Sequence, residues 1–238
     1  HVRSRRQRQM CIRDRFCNPR VNDREDEYGG TPQNRMRFLL ESISAARESV
    51  VDGSVVGLRI SGNDLTADGM LETEFIEIIK AVDQQGMIDY ISVTAGDSST
   101  LQGAQHIVPS MQHEAAYLSD LSAAVKKVTD LPVMVAGRIN QPQEAELILA
   151  QEKTDLCIMT RAMICDPQIA NKAARGAIDE IRACIGCNQA CIGHFQQGVG
   201  ISCIQYPESG RETVFLPRPR IRGCLLYTSD AADDSLRV

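Results

Sequence analysis

Short runs of β-forming residues alternate with longer helical patterns between residues 31 and 178, and this alternation restricts the architecture of the chain more than any other feature. "VVGLRIS" (55–61), "IDYISVTA" (88–95), "PVMVAG" (132–137) and "DLCIMT" (155–160) read as buried strands. The first helix opens at "TPQNRMRFLLESISAARESV", where Thr31 can cap, Pro32 suits the first turn, and Met36, Leu39, Leu40 and Ile43 form an apolar stripe. "LETEFIEIIKAVDQQG" puts Leu71, Phe75, Ile78, Ile79 and Val82 on one helix face before Gly86 ends it. Further helices are expected over 117–129, 142–152 and 167–175. Such repetition implies an α/β fold with parallel strands covered by helices, either a doubly wound sheet or a (β/α) barrel. A closed (β/α)8 barrel needs eight strands and roughly 250 residues, whereas four strands are visible here. Half a barrel would leave two parallel edges unpaired and an inner face uncovered, so the chain is read as a fragment of something longer.

The 238 residues are 43% hydrophobic and 24% charged, an ordinary balance for a globular protein. No apolar run approaches the roughly 18 to 20 residues that span a bilayer, and "HVRSRRQRQM" lacks the apolar middle of a secretory signal. The expected compartment is therefore the cytoplasm, with no membrane partner. A net charge of -5 argues against nucleic acid as a partner. The ends, "RSRRQRQMCIRDR" and "CLLYTSDAADDSLRV", follow neither the helical nor the strand period. Both resemble translated read-through of sequencing adapters; the alternative is a basic tail or transit peptide and an acidic tail. Neither end enters the functional argument.

Nine cysteines in a chain of this kind suggest metal or redox chemistry before disulfides. Four of them, Cys184, Cys187, Cys191 and Cys203, follow the spacing C-x2-C-x3-C-x11-C in and after "CIGCNQACIGH". Four thiolates this close can surround one centre, and Gly186 and Gly193 allow the backbone to fold tightly about it. Both a [4Fe-4S] cluster and a structural zinc ion take four cysteines. Zinc ribbons usually present two separated CxxC pairs, so three cysteines in one run with a later fourth favours iron and sulfide. With Cys203 completing the four, His194 is not needed as a ligand. Cys157 and Cys165, in or just after a strand, read as small buried hydrophobes.

Two stretches carry a resemblance. "DEYGGTPQNRMRF" is similar to the Tyr-Gly-Gly-Ser-x-x-Asn-Arg stretch of the Old Yellow Enzyme superfamily, with Thr31 where serine is usual. "DEIRACIGCNQAC" (179–191) resembles the cluster motif of its iron–sulfur branch, the 2,4-dienoyl-CoA reductase, trimethylamine dehydrogenase and N-methylproline demethylase-like group. The resemblance covers roughly residues 16–212. It implies the C-terminal half of an FMN-binding (β/α)8 TIM barrel over 16–178 and a [4Fe-4S]-binding segment and linker over 179–212. Residues 1–15 are left as read-through, and 213–238 as linker remnant and non-native tail.

The resemblance also implies roles. Arg59, at the end of "VVGLRI", would lie beside the pyrimidine edge of the flavin, where a fixed cation favours the anionic reduced ring. Gly137 and Arg138 in "VAGRI", with Thr160 and Arg161 in "MTRAM", would form the phosphate site at the C-terminal ends of the last two strands. The family more often has glycine where Thr160 stands. "TAGDSSTLQGAQHIVPSMQHE" is long enough to be a working loop over the flavin, with His106 its best substrate-side donor and Asp97 a weaker candidate. Tyr28 belongs to the Tyr-Gly-Gly turn and is structural. The tyrosine donor of some relatives falls upstream of residue 16. "QYPESGRE" keeps Pro207, Gly210, Arg211 and Glu212 of the family linker, with Tyr206 where asparagine is usual. A following module binding FAD and NAD(P)H is implied by the family only.

The expected function is an FMN- and [4Fe-4S]-dependent oxidoreductase, with a flavin that exchanges a hydride with an organic substrate and a cluster that relays single electrons. The substrate would be an enoate or enoyl thioester that is reduced, or an N-methylated amine that is oxidised, and "HIVPSM" leans toward the amine. The alternative is a zinc-stabilised α/β binding domain without redox chemistry.

Overall fold

The computed structural model describes residues 16–66, 69–98 and 101–215. The end segments read above as non-native therefore lie outside the described residues, apart from the start of the 213–238 stretch. Four strands, β1 (Gly57–Ser61), β2 (Tyr90–Thr94), β3 (Val133–Ala136) and β4 (Leu156–Ile158), form one sheet in chain order. All neighbours run parallel, with Arg59 beside Ser92, Ser92 beside Met134 and Met134 beside Leu156. Helices α1 (Pro32–Ser49), α2 (Glu72–Gln85), α4 (Ser119–Lys126), α5 (Pro142–Ala150) and α7 (Ile169–Ala174) occupy the expected helical stretches.

The local chemistry accounts for these elements. Thr31 Oγ1 accepts from the Asn34 N–H at 3.3 Å and caps α1. Gly86 ends α2 at φ 66°, its N–H bonded to the Asp83 carbonyl. The "YGGTPQNR" stretch is a latch: Arg35 donates to the carbonyls of Gly30 at 2.5 Å and Cys17 at 3.1 Å, and Tyr28 OH donates to Glu41 at 3.1 Å. Gly29 is obligatory there, because a Cβ would lie 1.9 Å from the Arg24 carbonyl oxygen.

The core lies on one face of the sheet. Ile60, Ile91, Val93, Val133 and Val135 meet Phe75, Ile79 and Val82 of α2, Val125 of α4, and Leu39 and Ile43 of α1, all buried. Because side chains alternate, the rows Arg59–Ser92–Met134–Leu156 and Ser61–Thr94–Ala136–Ile158 occupy the opposite, inner face. This is the geometry of part of a barrel: helices outside, a mixed row within, chemistry at the C-terminal strand ends.

Two sequence expectations need correction. Thr160 is not the last residue of a strand: β4 stops at Ile158 and α6 (Thr160–Cys165) begins at once, so Arg161 sits on a helix. The long loop after β2 contains a further helix, α3 (Leu101–Ile107), whose Gly103 packs against the Asp97 backbone.

A buried carboxylate ties helices α6 and α7 to the start of the cysteine segment. Asp166, 3% exposed, accepts from Lys172 Nζ at 2.5 Å, the Arg182 N–H at 2.9 Å and the Gln168 N–H at 3.1 Å. Burial acts to raise its pKa, but Lys172 and the two N–H donors outweigh it and hold the carboxyl below the usual range. The resulting stability is present above the ordinary carboxylate pKa and lost as pH falls through the lowered folded value. Asp166→Asn is expected to cost about 2 kcal/mol at neutral pH. Denaturant midpoints measured against pH should converge for the two proteins under acid conditions.

Candidate functional site: a cationic cleft beside a four-cysteine cavity

A cleft of about 690 Å³ opens at the C-terminal ends of the strands. Arg59 from β1, Gly137 and Arg138 after β3, and Thr160 and Arg161 from α6 all line it, so the five residues anticipated for the flavin meet in one place. Its size suits a small-molecule ligand or cofactor. Three guanidinium groups and no carboxylate face it among the described residues, which fits an anion.

The backbone around Arg138 is built for close approach. Arg138 adopts φ 50°, a left-handed conformation costly for a residue with a side chain. Its carbonyl accepts from the Ala116 N–H at 3.0 Å, whereas its own Nε is buried without a hydrogen-bond partner among the described residues. Arg138 also lines the cleft, so its guanidinium has hydrogen-bonding capacity that a bound phosphate would meet. At Gly137 a Cβ would lie 2.6 Å from Leu118 Cδ1, so glycine lets the β3 loop pack on α4. Desolvation by burial lowers the pKa of Arg59 and of Arg161. In Arg161 the Cys184 and Cys191 thiols oppose that fall and Arg138 adds to it. Both remain cations, as guanidinium groups do in proteins.

Cys184, Cys187, Cys191 and Cys203 line a second, smaller cavity together with Arg161, Asn188, Ile204 and Gln205. Gly186, at φ 70°, turns the chain so that its N–H donates to Cys184 Sγ at 3.4 Å. Asn188, at φ 58°, starts a π-helical turn over Gln189–Gly193, and the Ser202 N–H donates to the Ala190 carbonyl at 2.9 Å, returning Cys203 to the group. Burial raises the Cys184 pKa, opposed by the Gly186 N–H and by Arg161. Among the described residues no three His, Cys, Asp or Glu side chains stand close enough to share a single metal ion. Tetrahedral zinc with Zn–S of about 2.3 Å requires sulfurs about 3.8 Å apart. Four thiols lining a common cavity are a donor set that either a [4Fe-4S] cluster or a zinc ion takes.

Cys165 is fully buried and its thiol donates to Gln205 Oε1 at 3.4 Å. Burial, then the neighbouring Cys203, pushes its pKa up to about 12. It is thus a neutral thiol behind the cluster residues and more than an apolar filler. Cys157 is half-buried at the core margin, with its thiol 3.8 Å from the Ala145 carbonyl. His194 Nδ1 is engaged by the Gly200 carbonyl at 3.1 Å and Ser202 Oγ at 3.2 Å.

His106 stands one layer behind the cleft: Gln105 and Ile107 line it, whereas His106 Nδ1 pairs with Tyr117 OH at 3.0 Å and its ring lies 4.8 Å from that of His113. Burial and then His113 lower its pKa, and burial pushes Tyr117 up to about 12. Asp97 packs against Gly103 of α3 and raises the pKa of Asp64, after the larger effect of burial there. Sequence reasoning missed Tyr117, which merely opens a helix pattern, and Asn188. For Asn188 a signal did exist: a residue that tolerates left-handed φ, between two cysteines of a tight motif.

The family described as NADH:flavin oxidoreductase / NADH oxidase matches residues 11–180. The chain is 39% identical over 204 residues to the N,N-dimethylglycine/sarcosine dehydrogenase of Chromohalobacter salexigens, which covers 86% of this chain and 29% of that protein. Among solved structures, a 2-naphthoyl-CoA reductase in complex with 2-naphthoyl-CoA superposes with TM-score 0.78 at 29% identity, covering 84% of this chain and 30% of the other. The histamine dehydrogenase of Rhizobium sp. 4-9 superposes with TM-score 0.74 at 26% identity, covering 84% and 28%. The chain thus spans less than a third of the length of these relatives.

Proposed function

The chain belongs to the NADH:flavin oxidoreductase / NADH oxidase family, and on that premise we propose that it is the part of an FMN- and [4Fe-4S]-dependent oxidoreductase that binds the flavin phosphate and the cluster. One observation carries the reading: Arg161, Ile164, Asn188 and Cys191 line both the cationic cleft and the cysteine cavity, so the two sites share a wall. Bound FMN would supply hydride exchange with an organic substrate, and an adjacent cluster would supply single-electron relay.

The chain's own residues serve those ends by position and charge. Arg138 and Arg161 present guanidinium N–H groups to the phosphate. Arg59, two strands away on the inner face, offers a fixed cation to the electron-rich edge of the ring. Ile107, Val108, Ile139 and Phe195 supply apolar wall to the cleft. The four cysteines supply thiolates, and the Gly186 N–H stabilises the charge on one of them. His106 and Tyr117 form a hydrogen-bonded pair behind the cleft that would brace its α3 wall without adding charge to it.

For substrate we favour an N-methylated amine that is oxidised and demethylated, on the likeness to the dimethylglycine/sarcosine dehydrogenase. Reduction of an acyl-thioester alkene is the competing chemistry. A nicotinamide cofactor and FAD would be handled by chain beyond the segment described here, and a cytoplasmic setting suits oxygen-sensitive iron and sulfide. Anaerobic purification followed by iron, acid-labile sulfide and flavin assays tests the reading. We expect iron and sulfide together with FMN; stoichiometric zinc without iron, and no flavin spectrum, would overturn it in favour of a zinc-stabilised binding domain.

A further inference from the structure

Asn188 joins three parts of the site. It lies between Cys187 and Cys191, and its left-handed backbone aims the side chain out of the cysteine turn, while its carbonyl accepts from the Gly193 N–H at 2.8 Å. Its amide is used at both ends. Oδ1 accepts from Arg161 Nη1 at 2.6 Å, and Nδ2 donates to the Val108 carbonyl at 2.8 Å, across 80 residues of sequence. A second bond, from the Met111 N–H to the Gly186 carbonyl at 2.9 Å, ties the same two segments together. Both Asn188 and Arg161 face the cleft and the cysteine cavity.

The chemistry of the pairing is informative. A neutral amide orients a guanidinium without consuming its charge; an aspartate at this position would neutralise Arg161 and set a carboxylate beside the thiolates and the phosphate. The cysteine turn that aims Asn188 would be closed further by a group bound to the four thiols that line the cavity. We propose that Asn188 is a positioning residue that fixes Arg161 between the two sites, so that loading of the cysteine cavity and affinity for FMN are linked. The inference rests on the flavin and cluster reading above. Linkage of this kind is reciprocal and is read from binding alone.

The test uses the purified flavoprotein carrying this chain and FMN itself as probe. Asn188→Gly keeps the left-handed backbone while removing the side chain, so folding is spared. In the wild type, removing iron with a chelator is expected to weaken FMN binding about tenfold, followed by flavin fluorescence. Asn188→Gly with its iron intact is expected to show about the same tenfold loss, and then to respond little to iron removal. Asn188→Asp, which can still hold Arg161, is expected to bind FMN more weakly and to lower the midpoint potential of the iron centre. Wild-type FMN affinity in Asn188→Gly, an undiminished response of that variant to iron removal, or wild-type affinity in Asn188→Asp would each overturn the proposal. A wild-type protein without flavin or iron would instead sink the reading beneath it, which keeps the two failures apart.

Discussion

Cys184→Ala is expected to lose nearly all protein-bound iron and acid-labile sulfide. Cys184 is the half-buried thiol that accepts the Gly186 N–H and shares its cavity with Arg161, so its loss removes a ligand and a fixed point of the turn together. A four-thiolate centre with one donor missing keeps neither its charge balance nor its closed shell, and metal binding in such segments is coupled to their folding. The same result is expected at Cys187, Cys191 and Cys203. Cys165→Ala provides the contrast. Its buried thiol donates to Gln205 and does not line the cysteine cavity. That variant is expected to keep its iron and to lose only the modest stability of a deleted core sulfur. Colorimetric iron and sulfide assays on anaerobically purified variants read both outcomes, and iron retained in Cys184→Ala would remove the residue from the ligand set.

The double variant Arg138→Ala/Arg161→Ala is expected to weaken FMN binding by about two to four orders of magnitude. Charge-assisted hydrogen bonds of this type contribute about 1.5 to 3 kcal/mol each, and each 1.4 kcal/mol is tenfold in affinity. Arg138 contributes a buried Nε without a hydrogen-bond partner among the described residues, and Arg161 a desolvated guanidinium oriented by the neutral Asn188 amide, so neither charge is neutralised by a carboxylate of the cleft. Riboflavin, which lacks the phosphate, should bind wild type and double variant alike. Equal losses for riboflavin and FMN would mean that the two arginines support the cleft as a whole and not the phosphate. Equilibrium dialysis or flavin fluorescence on apoprotein separates these results.

The elements differed in how far they could be read in advance. Strands β1 to β4 were legible because buried β-branched runs alternate with amphipathic helices. The ends of α1 and α2 were legible because Thr31, Pro32 and Gly86 act through their own backbone chemistry. Helix α3 was hidden because "LQGAQHI" contains glycine and has no apolar stripe; packing of Gly103 on Asp97 decides it. Helix α6 was hidden because Thr160 is β-branched and continues an apolar run, whereas the end of the sheet at Ile158 forces the chain to turn.

The site divides along the same line. Cysteine spacing and the order in which Arg59, Arg138 and Arg161 accompany the strand-like runs are local properties, carried by the order of residues along the chain. The alternation determined the fold class, the cysteine spacing the candidate metal ligands, and the family resemblance the candidate flavin residues. Only the tertiary structure decided which of these residues share a wall, that His106 stands behind the cleft with Tyr117, and that Asn188 spans from the cysteine turn to Val108 and Arg161. The reason is physical: hydrogen bonds across 27 and 80 residues leave no periodicity in the sequence, and form only once the parallel sheet has brought its C-terminal strand ends together.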